Sequence, residues 1–168
     1  MQIHLPRFIA IAALDSRGVI GLNGHLPWDV PEEKKHFRKS TEGHVIIMGH
    51  TTFLSMPRKT LVKRTSIVFS KRHSVDQSLA LQVKSLEDLS KLYSEKPSFL
   101  KKKQFIIGGG EMFNLFFENN LIESAILTHF HTSYPGETYF PVDYLKTWPR
   151  EVLSHHREFS IYRYRSNS

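Results

Sequence analysis

Short apolar runs recur along this chain, separated by polar stretches with helical spacing. Phe8–Leu14 (FIAIAAL), 45–48 (VIIM), Thr65–Phe69 (TSIVF), 105–107 (FII) and 125–130 (AILTHF) are near-continuous in apolar, mostly β-branched or aromatic residues. Such runs predict strands buried on both faces. Residues 79–83 (LALQV) form a weaker strand of the same kind. Between the strands the pattern turns helical. Pro31 opens a helix over 31–40, where an early proline sacrifices no hydrogen bond. Ser85-Leu86-Glu87-Asp88 has the form of a capping box and predicts a helix running to Tyr93. Residues 111–118 (EMFNLFFE) read as a half-buried helix, with Phe113, Phe116 and Phe117 at core spacing. The tail over 151–165 alternates in places and predicts a final strand or a hairpin, a short one, with little room for a turn between Val152 and Tyr164. The order predicts an α/β fold with a mostly parallel central sheet, flanking helices and an antiparallel C-terminal edge.

The 168 residues suit one domain over 1–168, and 40% hydrophobic residues supply a sizeable core. Having no cysteine, the chain excludes disulfides, thiolate catalysis and cysteine-based metal sites. That suits a cytoplasmic protein. No run approaches the roughly 18 apolar residues of a membrane span, so no membrane partner is expected. Lys and Arg outnumber Asp and Glu by 23 to 16, a net charge of +7. The basic residues are scattered, with one short cluster at Lys101-Lys102-Lys103. This pattern argues against nucleic acid and leaves an acidic small molecule open. His129 and His131 have the spacing of a metal pair on a strand, but no third ligand is placed, so no metal is expected.

Three segments carry candidate chemistry. Gly108-Gly109-Gly110 lies between a strand and a helix, where glycines let a ligand approach the backbone and the helix start favours phosphate. A plain tight turn is the alternative, and Phe113 stands where a dinucleotide fingerprint needs its third glycine. Gly18-Val-Ile-Gly-Leu-Asn-Gly-His-Leu-Pro-Trp28 has the hinges of a covering loop and an apolar end able to exclude water. On the helix from Pro31, Glu33 and Phe37 share a face. If that face turns inward, desolvation raises the carboxyl pKa and makes Glu33 a proton source near neutrality. Otherwise Glu32 and Glu33 are first-turn acids that suit the helix dipole.

These segments, in this order, are what identify a family. The chain resembles the dihydrofolate reductases of the bacterial chromosomal type over roughly residues 8 to 145. The matches are Ile-Ala-Ala-Leu and Val-Ile-Gly (11–14, 19–21), Leu-Pro-Trp…Pro-x-Glu…Phe (26–37), Ile-Met-Gly-x-x-Thr-Phe (47–53) and Ile-Ile-Gly-Gly-Gly (106–110). Leu-Thr-His (127–129) and Gly-Glu-Thr-x-Phe-Pro (136–141) extend them.

The resemblance implies that NADPH delivers hydride to C6 of 7,8-dihydrofolate while N5 is protonated. It makes Glu33 the pocket carboxylate, Thr128 the threonine bonded to it, and Trp28 the holder of an ordered water. Ile11, Ala12 and Ile107 would meet the pterin, and Phe37, Met56 and Leu61 the benzoyl ring. Arg64, assisted by Arg38, would pair with the glutamate tail, where bidentate guanidinium chemistry fits a carboxylate. Around the nicotinamide the resemblance places Ala13, Val19, Ile20, Gly21, Asn23, Gly24 and His25, with Leu26 and Thr138 as further cofactor-binding residues. It assigns Gly49, His50, Thr51 and Thr52 to the pyrophosphate, Ser70, Lys71 and Arg72 to the 2′-phosphate, and Phe69 to cofactor binding. Lys84, Gly108, Gly109, Gly110, Glu111, Met112, Phe113 and Leu115 complete the groove, with a cis Gly108–Gly109 bond.

Four features depart from the family pattern. Lys34 replaces an apolar benzoyl-pocket residue, His50 an arginine near the adenosine, and Glu111 an arginine after the glycines. Residues 56–63 lack the usual Gly-Arg-Pro-Leu-Pro-Gly, which predicts a differently shaped loop. Two other readings stand beside reduction of dihydrofolate by a monomer. One is the pyrimidine reductase of riboflavin synthesis, which would not need the Trp28, Glu33, Phe37 and Arg64 set. The other is a non-catalytic basic binding module on the same fold.

Overall fold

A computed structural model describes residues 3–21 and 28–167. Its centre is an eight-stranded sheet. In chain order the strands are β1 (Phe8–Leu14), β3 (Val45–Gly49), β4 (Thr65–Phe69), β5 (Leu81–Val83), β6 (Gln104–Gly108), β7 (Ile122–Phe130), β9 (Arg150–His155) and β10 (Phe159–Arg165). Across the sheet they run β5-β4-β3-β6-β1-β7-β10-β9. The first six are parallel, and β7–β10 and β10–β9 are antiparallel. This is the mixed sheet that the apolar runs predict. Two short strands outside it, β2 (Val19–Gly21) and β8 (Thr138–Tyr139), pair as a separate antiparallel ribbon.

Alternation along each strand divides the core between the two faces of the sheet. Phe8 and Ala10 of β1, with Val45 and Ile47 of β3, pack on one face against helices α4 (Leu86–Glu95) and α5 (Gly110–Glu118). Leu89, Tyr93, Met112, Phe113, Phe116 and Phe117 from those helices are all buried. Ile11, Ile46 and Met48 face the other way. They meet Phe53 of α2 (His50–Ser55), Leu61 of α3 (Arg58–Val62) and Phe37 of α1 (Pro31–Thr41). Burial on both faces is why the strands read as unbroken apolar runs rather than alternating ones.

Local chemistry fixes the helix starts. Pro31 is the first residue of α1. The Ser85 hydroxyl accepts from the Asp88 N–H (3.1 Å), capping α4, while the Asp88 carboxylate reaches one residue further back and accepts from the Lys84 N–H (2.9 Å). The expectation of a short C-terminal hairpin is corrected. Its first strand begins at Arg150, which leaves residues 156–158 for the turn and six- and seven-residue strands on either side. The segment over 56–63 is helical rather than an open loop, because Arg58–Val62 forms α3. Among the described residues no helix is long and apolar enough to cross a membrane.

Candidate active site

The carboxyl ends of β1, β3, β4 and β6 open onto one cavity of about 1220 Å³. A crevice outside those strand ends is the usual ligand position in open α/β sheets. Its volume exceeds the range of roughly 300–1,000 Å³ for a single small-molecule site, so two ligands fit side by side. One lobe lies over α1, and the other runs between α2, the end of β4 and the start of α5.

The first lobe is built around Glu33. Helix α1 turns this residue inward, leaving it 6% exposed, although the rest of its first turn is solvated. Trp28 (6% exposed), Phe37, Ile11 and Thr128 line the space with it. Trp28 is held by ring contacts to Phe130 (4.9 Å) and Tyr134 (5.5 Å). Burial pushes the Glu33 carboxyl up to about 7, while the Trp28 indole N–H and the Lys34 ammonium oppose that rise. The indole N–H is itself buried, without a hydrogen bond of ordinary geometry inside the protein. A donor of that kind, beside a carboxyl protonated near neutrality, suits a polar ligand or an ordered water in the lobe.

Several expected positions move. Thr128 is 2% exposed and shares the lobe, but among the described residues no hydrogen bond joins it to Glu33. The Lys34 ammonium lies 2.6 Å from Asp29 Oδ1 at the surface, so its charge is held outside the lobe while its stem lines the wall. Arg64 stands behind the wall, 8% exposed. Its guanidinium donates to Thr41 Oγ1 (2.8 Å), Thr60 O (2.8 Å) and Arg38 O (2.9 Å), fastening α1 to the start of β4. Three of its five N–H groups are thereby engaged. Leu61 is also withdrawn, 2% exposed in the core beneath. Arg38, Met56, Pro57 and Thr60 form the wall at this point.

The second lobe is glycine-lined and basic. The Gly108–Gly109 peptide is cis, and Gly108 has φ +132°, which L side chains rarely adopt. A Cβ on Gly110 would stand 3.3 Å from Thr138 Cγ2, and one on Gly49 would stand 3.4 Å from Met112 Cγ. Side chains there would narrow the groove. Ala12, Ala13, Ile20, Gly21, Thr51, Thr52, Ile107, Glu111, Phe113 and Thr138 all border it. At its far end are Phe69, Ser70, Lys71, Arg72 and Lys84. Lys71, Arg72 and Lys84 are exposed, whereas Ser70 is buried. Val19 and Leu115 do not border the cavity. Val19 is fully buried opposite Tyr139 in the ribbon, and Leu115 leans on the core while Asn114 takes its place. Asn23, Gly24, His25 and Leu26 lie outside the described residues.

Against this geometry, the family model for dihydrofolate reductase matches residues 7–165. The chain belongs to the dihydrofolate reductase family. It is 33% identical to the dihydrofolate reductase of Lactococcus lactis subsp. lactis (strain IL1403) over 135 residues, covering 79% of this chain and 77% of that one. It is 31% identical to the dihydrofolate reductase of Mycoplasma genitalium over 158 residues, covering 94% and 96%. The fold matches a dihydrofolate reductase from Enterococcus faecalis solved with NADP(H) and RAB-propyl, with a TM-score of 0.75 at 24% identity, covering 96% and 97%.

Besides Ser55, Pro57, Thr60, Asn114, Glu137 and Tyr139, two histidines of this reductase's cavity escape the sequence reading. His36 borders the first lobe, three positions beyond Glu33 on α1, and its Nε2 is buried without a partner. The i, i+3 spacing was its available signal. His73 borders the second lobe and stacks on His50. Nothing in the local sequence marks it. His129 and His131 go to separate hydroxyls, Tyr164 (3.0 Å) and Ser160 (3.2 Å).

Proposed function

We propose that this protein reduces 7,8-dihydrofolate to 5,6,7,8-tetrahydrofolate with NADPH. The observation that carries the reading is the pairing of lobes. A buried carboxyl poised near neutrality faces one, and a glycine-lined, basic groove forms the other. When bound, NADPH would supply the hydride for C6 of the pterin, and the protein's own residues must bring a proton to N5. Glu33, protonated over a useful range because its burial opposes charge, anchors the pterin and promotes that protonation. Trp28 excludes bulk water and offers its indole N–H to an ordered water beside the carboxyl. Phe37 and Met56 pack the benzoyl ring. Arg38 takes the glutamate carboxylates at the mouth, and the two remaining Arg64 N–H groups stand behind it.

In the second lobe the absent Cβ atoms of Gly49, Gly108 and Gly110 let the pyrophosphate approach the backbone. Lys71 and Arg72 would hold the 2′-phosphate. The family match favours this activity over pyrimidine reduction and over a binding module that has lost catalysis. A cytoplasmic, monomeric enzyme of one domain, acting on small molecules and not on nucleic acid, completes the reading. Loss of reduced-nicotinamide absorbance on mixing protein, NADPH and dihydrofolate tests it, with an antifolate as the control. No oxidation above the antifolate-blocked rate would overturn the assignment.

A further inference from the structure

The second lobe holds a feature that its lysines and arginine do not explain. His50, the first residue of α2, and His73, after β4, stack with ring centroids 4.5 Å apart and planes 14° apart. Both border the cavity beside Lys71, Arg72 and Lys84, and Glu111 borders it from α5. The backbone of His73 is fixed. Its carbonyl accepts from Ser70 Oγ (2.8 Å) and Gln82 Nε2 (2.9 Å), and its N–H donates to Ser70 Oγ (3.2 Å). On its other side the His50 ring meets Phe53 at 6.2 Å. Among the described residues none of the four ring nitrogens bonds to a protein group. The pair is therefore positioned by the fold, with its donors and acceptors left to a ligand.

We propose that His50 and His73 form a proton-linked selectivity clamp, taking up a proton as the 2′-phosphate of NADPH docks. This rests on the NADPH reading above. Histidine is the side chain whose charge changes near physiological pH. Two stacked imidazolium rings repel each other, and neighbouring Lys71, Arg72 and Lys84 add to that repulsion. A phosphate dianion laid against the pair offsets it, whereas the Glu111 carboxylate, which borders the cavity from α5, supplies only a single charge. Docking the dianion consequently draws protons onto the rings. NADH has a hydroxyl in place of this phosphate and draws none. The preference for NADPH over NADH should therefore strengthen as the pH falls.

Titration calorimetry in buffers of different ionisation enthalpy reads the proton directly. At about pH 7.5, above the second phosphate pKa of about 6, the phosphate itself stays a dianion and releases almost nothing. NADPH should then bind with more proton uptake than NADH, by up to about one proton. Glu33 cancels in this comparison, because both nucleotides carry the same nicotinamide. From about pH 8 to pH 6.5 the ratio of affinities should rise roughly three- to tenfold, as expected for a partly exposed, charge-assisted contact. In the His50→Gln, His73→Gln double variant the extra uptake should vanish and the ratio should become flat with pH. Equal uptake for the two nucleotides, or a double variant that keeps the wild-type excess, overturns the clamp. Failure of both nucleotides to bind would overturn the cofactor reading and the clamp with it.

Discussion

At the α1 end of the cavity Glu33 is 6% exposed among Trp28, Phe37 and Thr128, whereas at the β4 end Lys71, Arg72, His73 and Lys84 are all exposed. The first arrangement uses desolvation. It holds one carboxyl in low dielectric, so that its pKa comes to the working pH. The second uses solvated charge, which recognises an anion without lasting cost when no ligand is bound. Changes at the buried end should therefore alter both chemistry and stability. Changes at the exposed end should alter affinity and leave the fold alone.

The largest effect should come from Glu33→Gln. The variant should fold and bind NADPH, yet lose roughly 10²–10³-fold in hydride transfer at neutral pH, the scale of a missing acid. Wild-type transfer should itself decline as the pH rises through about 7, because the proton source empties. Single-turnover kinetics across pH would check both, and a Gln variant with the wild-type rate would place the proton donor elsewhere.

The same substitution should reveal what the buried acid costs the fold. In the fold the Glu33 carboxyl is pushed up to about 7, well above its ordinary value of 4.5. The folded state therefore binds the proton more tightly. The stability this gives is complete below pH 4.5 and is lost as the pH rises through 7. Glu33→Gln removes that loss, and at pH 8 it should be more stable than the wild type by about 2–3 kcal/mol. Thermal melts at pH 4 and pH 8 would show the difference almost entirely at the higher pH.

At the exposed end, Lys71→Ala with Arg72→Ala should raise the Michaelis constant for NADPH roughly tenfold or more and scarcely touch that for NADH. The melting temperature should not move. Equal losses for the two nucleotides, or a destabilised fold, would erase the contrast between the lobes.

Lys34 sits between the two regimes and should give the smallest effect. Its ammonium is 2.6 Å from Asp29 and still lowers the Glu33 pKa from the surface. Lys34→Leu should shift the pH profile of hydride transfer upward by a few tenths of a unit, since exposed charges are screened. A profile that does not move with this substitution would mean that the Asp29 pair cancels the lysine entirely.

Burial is written in the sequence more plainly than placement. Phe8–Leu14 reads correctly because a strand covered on both faces has no polar position to break its run, and Thr65–Phe69 reads so because its buried Ser66 is satisfied by Leu61 O and leaves the β-branched run intact. Pro31 and Ser85 marked helix starts through their own backbone chemistry. The short elements α2, α3, β2 and β8 left no period long enough to read. At the site, one residue decides which side of a wall is met. Asn114 reaches the groove while Leu115 leans on the core, and both fit an apolar helix. Arg64 was legible as a guanidinium aimed at carboxylates. That three of its N–H groups tie α1 to the start of β4 depends on Thr41, Thr60 and Arg38, brought near only by folding. His73 meets His50 across 23 positions of sequence, so no local pattern could announce the stack.

The strand order has a consequence for how the molecule is made. β1 lies between β6 and β7, which begin at Gln104 and Ile122. A chain emerging from the ribosome holds its most apolar early segment without a neighbour until most of its length has been translated. The sheet's midline is thus closed near the end of synthesis, by contacts of long sequence separation that slow folding. Meanwhile FIAIAAL is a bare, uncharged strand of the kind that chaperones shield and that aggregates when unshielded. Ribosome-stalled chains truncated ahead of β6 should be protease-sensitive throughout, and protection should come in one step once β7 has left the exit tunnel.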